Sequence, residues 1–133
     1  MKGFSLVELL VVISIIAIIS AFTLPNFMGA RDKAKDSSRI SDMAAIKNAL
    51  RLYYNDNQVY PVGNGVTLGV GMTGYMPSIL NLGYTYYYYQ VNNGDSFLLK
   101  LPLESGQGDE DIASQAKCGI GVTVDKIFAV CAN

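Results

Sequence analysis

The stretch from Phe4 to Leu24 carries one charged residue, Glu8, in about 21 residues, and at roughly 1.5 Å per residue a helix of that length spans about 30 Å, the thickness of a bilayer core. A segment of this kind cannot be buried by an ordinary small domain, so it predicts a membrane-spanning helix. Lys2 precedes it and Arg31, Lys33 and Lys35 follow it, which gives no clear orientation from flanking charge. It also lacks the short apolar core and small-x-small cleavage site of an ordinary secretory signal.

The chain beyond the apolar run is not a loop. Ile40, Met43, Ile46 or Lys47, Leu50 and Tyr53 recur every three to four residues in a stretch otherwise rich in Ala and charge, the pattern of an amphipathic helix. Joined to the first segment it makes one helix of about 50 residues, on the order of 75 Å long, more than a small globular unit can cover. Pro25 removes one helical hydrogen bond and crowds the preceding turn, so a bend or local unwinding is expected near Thr23 and Leu24. The helix is expected to end near Tyr54, where Asn55-Asp56-Asn57 and then Pro61, Gly63, Asn64 and Gly65 supply turn chemistry.

Residues 55–83 read as a long irregular connection with one helical turn near Ser78 to Leu82. Strands are expected at Tyr84 to Val91, Ser96 to Leu101 and, around a turn at Asp125-Lys126, Val122 to Val130. Asn93-Gly94 marks a hairpin between the first two. The expected class is α+β: a long N-terminal helix whose amphipathic half packs on a small antiparallel sheet.

Hydrophobic residues make up 50% of the 133 and charged residues 16%, which argues against disorder. The net charge of −1 supplies no basic field, so no nucleic-acid partner is expected. His is absent, which removes the commonest acid/base and metal ligand near neutral pH, and the chain is not expected to be an enzyme. Cys118 and Cys131 lie close enough to bridge if the chain turns back between them. With an export segment upstream they read better as a disulfide than as free thiols or as a two-ligand metal site.

Gly3-Phe4-Ser5-Leu6-Val7-Glu8, running into an apolar helix that reaches Pro25-Asn26-Phe27-Met28 and continues through Ala30 to Tyr54 and Tyr60-Pro61, resembles the N-terminal half of type IV pilins and type II secretion pseudopilins. The resemblance implies a pilin-like fold, with a leader at residues 1–3, a transmembrane and filament-core helix at 4–30, and a globular part at 31–133. That part comprises an amphipathic helix at 31–54, a loop at 55–83 and a sheet region at 84–133. It further implies that a membrane peptidase cuts between Gly3 and Phe4 and methylates the new amine of Phe4. Glu8, fifth from the cut, is then the carboxylate that pairs with that amine on a neighbouring subunit. An ionised carboxylate in hydrocarbon is costly without a partner, and the alternative is a Glu snorkelling to the headgroups. Phe4, Glu8 and Pro25 are thus the expected assembly residues.

Two further features have competing readings. Asp109-Glu110-Asp111, after Gly106 and Gly108, suits a hard cation such as calcium through Asp109 and Asp111, but a solvated acidic loop with no cofactor is the preferred reading. The run Tyr84 to Tyr89 alternates as a strand, with Tyr84, Tyr86 and Tyr88 on one face, which core and subunit packing explains. The expectation is a structural filament subunit that begins as a single-pass inner-membrane precursor and ends in an extracellular pilus or a periplasmic filament. Its partners are copies of itself, the peptidase and an assembly machine. A pilus is favoured over a secretion pseudopilus because of the late cysteine pair, and the rival of a different class is a monomeric membrane-anchored binding module.

Overall fold

The structure, a computed structural model, describes residues 3, 5–66, 68, 70–105, 108–121 and 126–132. The chain divides into two compact units, Met1–Asp32 and Lys33–Asn133. One helix, α1 (Leu6–Asn57), runs through the boundary. In the first unit α1 is apolar and unburied, and among the described residues Leu6–Thr23 is the one stretch long and apolar enough to cross a membrane. Two hydroxyls there bond back to the helix backbone. Ser14 Oγ donates to the Val11 carbonyl at 2.7 Å and Thr23 Oγ1 to those of Ile19 and Ser20 at 3.3 Å. The backbone stays helical through Thr23 and Leu24, so of the bend or local unwinding expected there the unwinding does not occur.

The second unit is built on the amphipathic half of α1. Met43, Ile46, Ala49 and Leu50 are buried in its core, with Ile40 and Tyr53 packed against them, so the apolar stripe takes Ile46 and leaves Lys47 at the margin. The helix continues three residues past the expected stop at Tyr54. Asn57 Nδ2 donates to the Tyr53 carbonyl at 2.9 Å, and Gln58, at φ 57°, turns its N–H back to the Tyr54 carbonyl at 2.7 Å. Asn57, one of the residues read as turn formers, and Gln58 thus cap the last carbonyls, and Asp56 is held by the Tyr75 hydroxyl at 2.9 Å.

Four antiparallel strands follow in sequential order: β1 (Asn64–Val66), β2 (Tyr87–Val91), β3 (Ser96–Pro102) and β4 (Ile127–Cys131). The expected β2–β3 hairpin is present, with Val91 opposite Ser96 and Tyr87 opposite Lys100. Its β2 begins three residues later than expected, because the residue that would face Thr85 is Pro102, which has no N–H for the ladder. β1 was not foreseen in the Gly- and Asn-rich connection, nor was the 3-10 turn Val70–Met72, whereas the turn Pro77–Asn81 falls where one was expected. Of the expected last strand, residues 122–125 lie outside the described ones.

The tyrosine run alternates as expected: Tyr86 and Tyr88 are buried, Tyr87 exposed. Each buried ring also pins the irregular connection through its hydroxyl. Tyr88 donates to the Pro61 carbonyl at 2.6 Å, and Tyr86 accepts the Leu68 N–H at 3.1 Å. At Gly63 any Cβ would collide with the Tyr88 ring, so this close approach requires glycine.

A second helix, α2 (Asp109–Lys117), occupies the place of the expected acidic loop. Asp109 and Asp111 belong to its first turn, where negative charge suits the helix N-terminus. Asp111 is buried, which corrects the reading of a solvated acidic loop. The inward face of α2 is polar for a reason. Ser114 Oγ accepts the Ala129 N–H at 3.0 Å and Gln115 Nε2 donates to the Ile127 carbonyl at 2.7 Å, so side chains of α2 complete the free edge of β4.

Cys118, at the end of α2, is bridged to Cys131, the last residue of β4, across a separation of 13 residues. Closing a loop of that size contributes about 3 kcal/mol in the chain-entropy account. Replacing both cysteines (Cys118→Ser with Cys131→Ser) in a fragment starting near Asp32 should lower its thermal midpoint by roughly 12 °C. A midpoint unchanged in calorimetry would assign the staple no share of the stability.

Candidate functional site

The residues expected to act in processing and assembly lie in the first unit. Gly3 is exposed, and a Cβ built on it meets nothing within 4 Å. Phe4 lies outside the described residues, and Pro25 lies within the α1 backbone. Glu8 sits in the first turn of α1, and its carboxylate accepts the Ser5 N–H at 3.3 Å while the Ser5 carbonyl accepts the Leu9 N–H at 3.3 Å. Ser5 and Glu8 thereby make one half of a capping box, an arrangement readable in Ser5-x-x-Glu8 that the sequence reading did not use. The protomer alone therefore gives Glu8 a role, holding its own helix end. It is exposed within the chain, flanked by Leu6, Val7, Leu9 and Leu10, all more than half exposed.

These features surround a carboxylate with apolar surface that the chain itself leaves uncovered. The described part of the first unit contains Glu8 as its only charge between Ser5 and Ala30. Such a segment is stable in lipid, or packed against other helices of the same kind, and unstable in water.

The prokaryotic N-terminal methylation motif matches residues 1–24. The type II secretion system core protein G of Klebsiella michiganensis is 32% identical over 118 residues, 89% of this chain and 77% of the relative. The chain belongs to the type IV pilin and type II secretion pseudopilin family. The corresponding core protein G of Escherichia coli K12 is 43% identical over 63 residues, 47% of this chain and 43% of that protein. The type IV wide pilus major component PilA4 of Thermus thermophilus is 35% identical over 71 residues, 53% of this chain and 54% of the relative. The chain thus matches less than half the length of some of these pseudopilins and about half of that pilin. No solved structure gives a significant match.

The globular part of this pilin-like chain holds a polar cluster that the sequence reading missed. Asp36, fully buried on α1, accepts the N–H groups of Glu104 at 2.9 Å and Ser105 at 2.8 Å and the Ser105 hydroxyl at 2.7 Å, with Arg39 Nη1 at 3.6 Å. Burial opposes its ionisation, but the Ser105 hydroxyl, the two backbone donors and the Arg39 guanidinium together outweigh that cost and hold its carboxyl below the ordinary range. Glu104 in turn receives Arg39 at 2.6 Å and Lys35 at 2.9 Å. The cluster ties the segment after β3 to α1. No sequence signal marks it, because its partners lie 68 and 69 residues apart.

For calcium, Asp109 and Asp111 stand on a helical turn rather than on an open loop. No group of three or more His, Cys, Asp or Glu suited to a metal ion occurs among the described residues.

Proposed function

We infer that this protein is a structural subunit of a helical filament. It is made as a membrane-inserted precursor, cut between Gly3 and Phe4, methylated on Phe4 and polymerised through α1 by a dedicated assembly machine. The observation that carries this reading is the methylation motif fused to a helix that the protein does not bury. The second unit has its own core, sheet and disulfide without residues 6–23, so those residues are left for lipid and then for other copies. An external filament also suits a domain stapled by a disulfide, which persists in oxidising compartments. A monomeric anchored binding module would need the motif only as an anchor and would keep its leader.

Relatives of both kinds, secretion pseudopilin and pilus subunit, each match about half of this chain, and similarity to them favours neither destination. The late disulfide is the feature in favour of a surface pilus.

Gly3→Glu tests the processing step. Because a side chain at Gly3 has open space, the substitution leaves the fold intact and acts on the peptidase alone. Intact-mass measurement should find the precursor uncut and unmethylated in the membrane, with filaments absent. Trimmed, methylated filaments from the variant would overturn the assigned cut.

A further inference from the structure

The second unit carries a groove of about 560 Å³ between α1, α2 and β4. Phe128, Val130 and the Cys118–Cys131 bridge give it an apolar floor, and Lys47 and Lys117 supply its charge, with no carboxylate among the described lining residues. Arg51 stands one helical turn beyond Lys47 and adds to the same field. Burial, and then the charge of Arg51, lower the Lys47 ammonium from its ordinary range. Lys117, in the last turn of α2, is exposed and makes no hydrogen bond or ion pair among the described residues.

The carboxylates of the same unit are mostly engaged. Asp36 and Glu104 belong to the cluster already described, Asp42 accepts the Tyr84 hydroxyl at 3.1 Å, Asp56 that of Tyr75 at 2.9 Å, and Asp111 is buried. Asp95 differs. It is exposed and its carboxylate has no partner among the described residues. It stands at the tip of the β2–β3 hairpin on a turn in which Asn92, Asn93 and Gly94 all have positive φ, at 53°, 57° and 100°. Asparagine and glycine are the residues that best tolerate this backbone, and the turn is firmly held. The Gly94 carbonyl accepts the Tyr60 N–H at 2.9 Å, and a Cβ on Gly94 would run into Val59. The tip therefore presents Asp95 at a fixed place.

We propose that in the filament Asp95 of one copy docks in the Lys47–Lys117 groove of a neighbouring copy. This rests on the filament reading above. The tip lies at one end of the sheet and the groove beyond its β4 edge, so the two are different patches on one surface. A contact between different patches is head-to-tail and, where its rotation does not close a ring, repeats along an open helix, which is what a filament needs and a two-fold dimer does not. Charge complementarity fixes the pairing, and the apolar floor gives the contact a water-poor setting in which an ion pair is worth more than on open surface.

The test uses the full chain, produced with its assembly machinery, and compares sheared filament yield for Asp95→Lys, for Lys117→Glu and for the two together, with trimming and membrane level measured in each. Each single change places like charges opposite one another and should lower yield about tenfold. The double change restores the pair with its sign reversed and should recover most of the yield. A zero-length carbodiimide crosslinker on wild-type filaments should join Asp95 to Lys117 or Lys47 in dimer-sized species.

A double variant no better than the singles, with no such crosslink, overturns the contact, as does a normal yield from both single variants. If only Lys117→Glu is harmful, the groove serves another anion and the Asp95 pairing is wrong. Wild-type protein that forms no filaments would instead defeat the filament reading itself.

Discussion

Glu8→Gln should leave the precursor inserted and trimmed but reduce its filaments by at least tenfold. The glutamine keeps an oxygen to accept the Ser5 N–H, so the half capping box seen at 3.3 Å survives and the start of α1 is unchanged. Insertion should be as good or better, since a neutral amide costs less in hydrocarbon than a carboxylate. The charge alone is lost. In a filament whose core consists of α1 helices, the amine of an incoming Phe4 then meets a neutral group in a dry environment, and an unpaired buried charge is strongly unfavourable. The measurement is the ratio of filamentous to membrane-bound protein at matched expression, with the mass of the N-terminus determined separately. Wild-type filament yield from fully trimmed Glu8→Gln protein would falsify the pairing and leave Glu8 as a helix cap, without touching family membership.

Asp36→Ala should destabilise the globular unit as much as truncating one of its fully buried core side chains. It strips the two backbone donors of Glu104 and Ser105 and the Ser105 hydroxyl of their acceptor and takes from Arg39 one of its two carboxylates, leaving Glu104. Breaking a buried charged network of this kind costs about 3 to 5 kcal/mol, on the order of 15 °C in the melting point of a domain this size. The same group makes the unit acid-sensitive. Its folded carboxyl titrates below the unfolded one, so its stabilisation is complete above the ordinary aspartate range near pH 4 and is lost as pH falls through the folded value. Denaturant titrations of a fragment starting near Asp32 should show stability falling steeply below about pH 4. In Asp36→Asn the same titration should be flatter in that window. An equally steep fall in the variant would assign the acid sensitivity to other carboxylates.

Much of this protein was legible in its residues because the relevant signals are local. The membrane-length segment follows from an uninterrupted apolar run, and the buried stripe of Met43, Ile46 and Leu50 from helical period. The β2–β3 hairpin follows from Asn93-Gly94, and the placing of Tyr86 and Tyr88 on one face and Tyr87 on the other from strand alternation. The motif at Gly3 to Glu8 carried the family, which the 32% identity over 118 residues then established.

The tertiary structure decided what depends on partners far along the chain. The inward face of α2 is formed by Asp111, Ser114 and Gln115, so no apolar period could reveal it, and its polar side chains make sense only beside the free edge of β4. The three-residue β1 owes its place to pairing with Tyr88 and Tyr89, and Gly63 to the ring of Tyr88 pressed against it. Asp36 carries no local signal of its own, and its burial depends on the segment after β3, which delivers two backbone N–H groups to it. A sequence determines by itself whatever the geometry of one helix or one strand imposes on neighbouring residues. Where a buried polar group finds its partner depends on how the distant segments pack, and only the folded chain decides that.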